Sequence, residues 1–295
     1  MIINVDKSDI RIDKYIASVT DFSRAYVSKL ISNDKIKLND RSVKSSFLVN
    51  EGDIINIENE KLEEKDITAE NIDLDIVYED EYLMIINKKS GMVVHPGAGN
   101  YNHTLVNALK YYTDNLSDID DFRPGIVHRI DKDTSGLMVV AKDNKTHELL
   151  SLMFSKKEVH RKYIALLKGE FKYDTADIDA PIGRDKNNRQ KMTITDDHSR
   201  SAVTHLRVIK RYKNFTLASL ELETGRTHQI RVHMAYIGYP IYNDPVYTND
   251  KCTSFGQFLH SSSIDFIHPI TKKNMHFECA LPSEFSNFLS TLEEK

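Results

Sequence analysis

Two short stretches of this 295-residue chain concentrate the side chains able to do chemistry. The first is Pro124-Gly125-Ile126-Val127-His128-Arg129-Ile130-Asp131-Lys132-Asp133-Thr134-Ser135-Gly136. Asp131 and Asp133 stand beside Arg129 and Lys132, so at least one carboxylate is expected to be ionised and available as a nucleophile or base. A loop feeding a strand is a usual mounting for such groups, although the same residues suit a polar, self-bonded turn. The second stretch runs from Glu223 through Thr224, Gly225, Arg226, Thr227, His228, Gln229, Ile230, Arg231 and Val232 to His233 and Met234. With Thr227 as a helix cap, His228 and Arg231 fall on one face and aim an imidazole and a guanidinium the same way. His228 and His233 lie roughly 140° apart on a helix and on opposite faces of a strand, so they do not readily share a metal ion.

Short apolar runs must position these stretches. Ile76-Val77-Tyr78, Leu83-Met84-Ile85-Ile86, Leu137-Met138-Val139-Val140-Ala141, Tyr163-Ile164-Ala165-Leu166-Leu167 and the alternating Phe215–Leu222 all read as strands. Helices are expected at 144–156, with Leu149, Leu150 and Met153 on one stripe, and at 228–237, ended by Gly238. Strands outnumber helices and the β-α-β alternation of a doubly wound fold is missing, so the fold class expected is α+β with a mixed, largely antiparallel central sheet. No repeat at fixed period and no phosphate-binding glycine loop is present, which argues against a nucleotide cofactor.

The first sixty residues follow a pattern of their own. Ile12, Ile16 and Val19 fall at helical spacing, Ser23 is a possible cap, and Val27, Leu30 and Ile31 form a second stripe. After the turn pair Asn39-Asp40, the segments around Val43, Phe47 and Val49 and then Ile54–Ile57 suggest short strands. Residues 58–75 are strongly charged without apolar period, which predicts a linker and a boundary near residue 65, between domains 1–65 and 66–295.

Composition narrows the setting. Cys252 and Cys279 stand in no metal-ligand spacing, no apolar run approaches membrane-span length, and the first residues lack signal-peptide regions. A soluble cytoplasmic protein without structural zinc is expected, and no heptad or large apolar stretch demands a partner chain, so a monomer is expected. The net charge of -4 hides an uneven distribution: residues 122–231 carry 22 Lys and Arg against 14 Asp and Glu. A basic face around the chemistry is therefore compatible with an acidic whole, and nucleic acid stays a candidate partner.

With these residues in view, residues 75–282 resemble a pseudouridine synthase of the RluA type. That family's central motif His-Arg-Leu-Asp-x-x-Thr-Ser-Gly is matched at 128–136 with Ile130 in place of leucine. Asn87-Lys88 with Gly91-Met92-Val93-Val94-His95-Pro96, Arg161–Ala165, Thr224–His233, Asp244–Tyr247 and Leu259-His260 agree in order. Lys89 stands where the family has proline, Asn243 where glycine is common, and Gly256-Gln257-Phe258 where Arg-Gln-Ala is usual. Residues 9–59 resemble the RNA-binding module named after ribosomal small-subunit protein four, through Arg11–Ile16, Ser23-Arg24, Lys29-Leu30-Ile31 and Gly52–Ile55, with Asn33-Asp34 where that module often has glycine.

The resemblance implies a cofactor-free isomerisation of uridine, in which the C1′–N1 bond breaks and the ribose rejoins at C5. By it, Asp131 is the essential aspartate, attacking C1′ or removing a proton from C2′. Tyr163 is the tyrosine that stacks on the base and is a candidate for taking the C5 proton, and Arg231 pairs with the aspartate. Arg129 occupies the space of the extruded base and Arg226 contacts RNA, while Lys14, Arg24, Lys29 and Lys44 are the phosphate contacts of the first module. Val94-His95-Pro96-Gly97-Ala98-Gly99-Asn100 resembles the family branch that modifies large-subunit ribosomal RNA. Transfer RNA is the alternative substrate. An inactive RNA-binding assembly factor and a metal-assisted nuclease built on Asp131 and Asp133 are the rival functions.

Overall fold

The computed structural model describes residues 1–295 apart from 21, 23, 59–66, 98, 121, 189, 250 and 251. The possible cap Ser23 and the boundary at residue 65 lie outside the described residues. The chain divides into two compact units, Met1–Asp66 and Ile67–Lys295.

The first unit comprises β1 (Ile2–Asn4), β2 (Ile10–Arg11), α1 (Ile12–Val19), α2 (Arg24–Ser32), β3 (Ile36–Leu38), β4 (Arg41–Ser42), β5 (Leu48–Val49) and β6 (Ile54–Ile57). Its four-stranded sheet has the order β1-β6-β3-β4, and β2 pairs with β5. Ile12 and Ile16 of α1 meet Val27, Leu30 and Ile31 of α2 in one core with Ile36, Ile55 and Ile57, whereas Val19, expected on the first stripe, is exposed at the end of its helix. Asn39 and Asp40 both hold positive φ across the two-residue link from β3 to β4, the backbone that a tight hairpin demands. Asp34 also sits in the left-handed region, at φ 59, where glycine would be unstrained.

The second unit comprises β7 (Ile76–Glu79), β8 (Leu83–Lys88), α3 (Leu105–Tyr112), β9 (Ser135–Ala141), α4 (Asn144–Ser155), β10 (His160–Lys168), β11 (Thr175–Asp179), β12 (Ile182–Arg184), β13 (Met192–Ile194), β14 (Val203–Tyr212), β15 (Phe215–Leu222), α5 (Gln229–Tyr236), β16 (Leu259–Ile267), β17 (Asn274–Glu278) and α6 (Ser283–Ser290). Its nine-stranded sheet runs β11-β14-β15-β10-β16-β9-β8-β7, with β17 also on β16. Every pairing is antiparallel except β16 with β9, which gives the mixed, mostly antiparallel sheet that the strand-rich pattern implies. Alternate residues of β9 enter two cores: Met138 and Val140 face α3, α5 and α6, while Leu137 and Val139 face α4. A strand covered on both faces reads as one unbroken apolar run, as 137–141 does.

Residues 67–75 do not behave as a linker. Ile67 and Leu74 pack on the main core, Asn107 Nδ2 of α3 donates to Thr68 O at 2.8 Å, and Glu70 N donates to Asn107 O at 3.0 Å. The carboxylates are used as well, since Glu70 Oε1 accepts the His103 amide at 2.9 Å and Asp75 Oδ2 accepts from Asn87 Nδ2 at 2.8 Å. Among the described residues no helix is long and apolar enough to cross a membrane.

The parallel β9–β16 contact puts Gly136 against the Ser261 backbone. Gly136 holds φ +110, and a Cβ there would stand 2.2 Å from Ser261 O. Gly136→Ala is expected to cost more than about 3 kcal/mol, from strain and steric overlap together, in urea unfolding. A loss below about 1 kcal/mol would show that the two strands can part freely.

Candidate active site

The two chemical stretches meet although they are about a hundred residues apart. Asp131 lies in the loop before β9, and that loop is tied down at each step. Buried Lys88, at the end of β8, donates from Nζ to the carbonyls of Lys89, Met92 and Lys132 at 2.8, 2.8 and 2.9 Å. Ser90 Oγ donates to Asp133 O at 3.0 Å, and Gln257 Nε2 donates to Thr134 Oγ1 at 3.0 Å. At the loop's exit, Ser135 Oγ meets His260 Nδ1 at 2.9 Å, and His260 Nε2 meets the Cys279 thiol at 3.1 Å. Upstream, His128 Nε2 accepts the Val139 amide at 2.9 Å, and its ring stacks on Phe154.

Arg231 comes from α5, and its placement depends on the turn before that helix. Gln229 Oε1 accepts from Thr224 Oγ1 at 2.7 Å and from the Arg226 amide at 3.0 Å, while Gln229 Nε2 donates to Val203 O at 2.9 Å. Thr227 does not cap the helix. His228 occupies the cap position with left-handed backbone, φ 57 and ψ 18, and makes no side-chain cap bond. His228 therefore reaches the site from outside the helix, and its nearness to Arg231 comes from that bent turn rather than a shared helical face.

The guanidinium of Arg231 is divided between two carboxylates. Nε and Nη2 donate to Asp244 Oδ2 and Oδ1 at 2.7 and 2.9 Å, and Nη1 donates to Asp131 Oδ2 at 2.9 Å. Arg231 and Asp244 side chains are 4% and 0% exposed and Asp131 18%, so little water screens the set. Burial pulls the guanidinium down, but the hydrogen bonds and charges of Asp244 and Asp131 more than offset it and hold Arg231 above its ordinary value. The other Asp131 oxygen, Oδ1, stays turned toward His228 Nε2, 3.9 Å away. Arg231 lies over the Tyr247 ring at 5.2 Å, and His228 Nδ1 meets the Tyr247 hydroxyl at 3.0 Å.

Asp131, His228 and Arg231 line an open pocket with about 420 Å³ of empty space, part of it continuous with solvent, together with Tyr163, Arg161 and Arg129. Tyr163 stands on β10 beside a register shift against β16 and is buried. Burial pushes its hydroxyl up, Arg161 and Ser261 pull it back, and the Asp131 charge adds to the rise. Gly225 leaves room for Arg161, since a Cβ there would approach Nη1 to 3.3 Å.

Of the residues singled out in the sequence, Asp131, Tyr163, Arg231, Arg129 and Arg226 line this one pocket, and Asp133 does not. The partner of Asp131 is Arg231, not the adjacent Arg129 or Lys132, both of which are exposed. Arg226 Nε donates to Ser201 O at 3.0 Å. In the first unit Lys14 and Lys44 are exposed, Lys29 is half-buried, and Arg24 pairs with buried Asp13 at 2.8 Å. His233 is spent elsewhere, on Thr204 Oγ1 and Ala180 O. Asp244, Tyr247, Lys88 and His260 carry no role that sequence reasoning assigns, although each falls in a block that matches the family pattern. The departures from that pattern have local reasons. Asn243 takes the left-handed backbone at φ 61 and binds Thr253 N and Gly256 O, and a Cβ on Gly256 would fall 2.3 Å from Asp133 Cβ.

A half-buried carboxylate paired with a buried guanidinium, in an open pocket that Arg129 and Arg226 also line, suits an enzyme that acts on an anionic substrate. Residues 82–236 match the family model described as RNA pseudouridylate synthase. The chain is 46% identical over 287 residues to the RNA pseudouridine synthase YlyB of Bacillus subtilis (strain 168), covering 96% of this chain and 94% of that protein. It is 41% identical to ribosomal large subunit pseudouridine synthase D of Zymomonas mobilis, covering 93% and 91%. Human RNA pseudouridylate synthase domain containing 1 shares the fold, with a TM-score of 0.61 at 22% identity over 77% of this chain and 91% of that one. The chain belongs to the RNA pseudouridylate synthase family, and it isomerises uridine in RNA.

Two outcomes follow from the geometry. Arg231→Met leaves Asp244 buried without its cation and is expected to cost about 3–5 kcal/mol in urea unfolding, against under about 1 kcal/mol if the pair were only a surface contact. Burial pushes His260 down to about 4 and His128 to about 3, so both stay neutral in the fold where the unfolded chain takes up protons near pH 6.5. The unfolded state then binds more protons, and their stabilisation is present above about pH 6.5 and is lost as pH falls toward 4. His260→Gln should lower the slope of unfolding free energy on pH in that window by one proton, about 1.4 kcal/mol per pH unit. An unchanged slope would contradict the neutral, buried imidazole.

Proposed function

We propose that Asp131 starts glycosidic cleavage, that Arg231 keeps it ionised and oriented, that Tyr163 stacks on the target uracil, and that the substrate is large-subunit ribosomal RNA. The carrying observation is the divided guanidinium: it fixes Oδ2 of Asp131 and leaves Oδ1 toward His228, in the pocket that both residues line, where a carboxylate can attack C1′ or take the C2′ proton. Tyr163 forms an apolar wall of the same pocket, the surface that a flipped base needs to replace its lost stacking. Arg129, exposed and lining the same pocket, is read as the side chain that fills the gap left in the RNA.

The ribosomal assignment is supported by relatives named ribosomal large subunit pseudouridine synthase D in Zymomonas mobilis and Pseudomonas aeruginosa, at 41% and 38% identity over most of the chain. Met1–Asp66 is read as the RNA-binding module, with Lys14, Lys29, Lys44 and Arg24 toward phosphates, and the second unit alone supplies the catalytic set. That arrangement suits a cytoplasmic monomer that selects its site by RNA shape and backbone contacts and its base in the pocket.

Pseudouridine mapping of a deletion strain tests this reading. Particular large-subunit positions should revert to uridine and return when the gene is restored. Intact ribosomal pseudouridines with one missing from transfer RNA would move the substrate and leave the chemistry standing. Replacing Lys14 and Lys44 with alanine should reduce the slope of log affinity on log salt by about 0.7 to 0.9 for each phosphate that is no longer neutralised. An unchanged slope would remove those lysines from the interface.

A further inference from the structure

The isomerisation leaves one proton transfer unassigned by the Asp131–Arg231 pair. Once C5 of the detached uracil bonds to C1′, that carbon still carries its hydrogen, and the product needs it gone. We propose that His228 is the general base for this step, taking the C5 proton on Nε2; the assignment rests on Asp131 carrying the cleavage.

The geometry decides which nitrogen is available. The Tyr247 hydroxyl accepts the Met192 amide at 2.9 Å and donates its own hydrogen to Met192 O at 3.1 Å. With its hydrogen on Met192 O, the hydroxyl presents a lone pair to His228 Nδ1 at 3.0 Å, an assignment that puts the imidazole hydrogen on Nδ1 and makes Nε2 an acceptor. Nε2 lies 3.9 Å from Asp131 Oδ1, beyond hydrogen-bond reach, in the pocket that both residues line. The left-handed backbone at φ 57 holds the ring there, a conformation costly for a residue with a Cβ and found where structure over-determines it.

The charges around His228 favour the same role. Burial keeps the ring neutral, the Asp131 and Asp244 carboxylates raise its proton affinity, and the Arg231 and Arg129 guanidinium groups lower it. A neutral imidazole can accept a proton directly. The Tyr163 phenol cannot until it has lost its own, and burial opposes that. The imidazolium formed would face Asp131 Oδ1 on one side and pass its Nδ1 hydrogen bond to Tyr247 and Met192 O on the other.

The step balances without a co-reactant. Bond formation from C5 leaves a C6=N1 double bond and either releases the Asp131 carboxylate from C1′ or, by the glycal route, returns the proton held on Asp131 to C2′. His228 removes the C5 proton, the C–H pair restores C5=C6, and the C6=N1 electrons move to N1. N1 then takes a proton, so the net change is one proton moved from C5 to N1.

RNA carrying 5-fluorouridine at the target separates the two stages, because it can form the new carbon–carbon bond yet has no C5 proton to lose. His228→Asn suits the test because asparagine tolerates the left-handed backbone, and His228→Gln serves as a second variant. Each should still rearrange 5-fluorouridine but convert uridine about a hundredfold more slowly, the smaller end of what a lost general base costs. Each should also show a primary isotope effect with 5-deuterouridine that the parent lacks. The proposal is overturned if these variants convert uridine at the parental rate, if both substrates slow equally without an isotope effect, or if the isotope effect appears in Tyr163→Phe instead. Asp131→Asn should lose both reactions, and retention of 5-fluorouridine rearrangement there would count against the Asp131 reading instead.

Discussion

One guanidinium shared by two carboxylates organises this enzyme. Arg231 spends its Nε and Nη2 hydrogens on Asp244, which is fully buried, and only Nη1 on Asp131. The two-bond side is the anchor, because a bidentate pair fixes the plane of the guanidinium. The one-bond side orients Asp131 through Oδ2 alone. Asp244 is fixed in turn by the amides of Val246 and Tyr247, at 2.9 and 3.1 Å. Burying three charges is costly in itself, so this arrangement is better understood as holding a reactive group in place than as a source of stability.

The rest of the catalytic unit supports the two ends of that ion pair. From one side the sheet brings β9 and β16 together in parallel, close enough that only glycine fits at 136, and so sets where the Asp131 loop leaves the sheet. Lys88 and Ser90 from one segment, and Gln257 and His260 from another, then hold successive residues of the loop from Lys132 to Ser135. From the other side Gln229 closes the turn from β15 to α5 and aims Arg231 back at the loop. The Asp131–Arg231 pair therefore exists only at the level of tertiary packing, not within either motif.

Much of this is legible in the sequence, and the reasons differ by level. Buried strands such as 83–86 and 137–141 announce themselves because both faces are covered, so no polar residue interrupts them. The helix at 105–112 escapes a sequence reading: it has only eight residues, and its start depends on a capping box of Thr104 with Asn107 rather than on an acidic first turn. Asp131, Tyr163 and Arg231 can be named through motif resemblance, and they share one pocket. Composition and spacing alone point to Arg129 and Lys132 as the neighbours of Asp131, because they are adjacent in sequence. The pairing with Arg231 arises from chain folding across 100 positions, which no local pattern contains. The roles of Asp244 and His228 are hidden for the same reason, the one as a second carboxylate behind Arg231 and the other as a left-handed residue that helix rules place inside α5. The charged stretch after residue 66 shows the opposite failure, where composition suggests a linker and backbone hydrogen bonds bind it to α3.

Release of tritium from RNA labelled at C5 of uridine reads the central claim directly, because only formation of the new carbon–carbon bond at C5 frees that hydrogen. Purified protein should release it, Asp133→Asn should do so at a comparable rate, and Asp131→Asn should bind the RNA without releasing any. Release by Asp131→Asn within about tenfold of the parent, a difference of only about 1.4 kcal/mol in the barrier, would contradict the assignment of the reactive carboxylate.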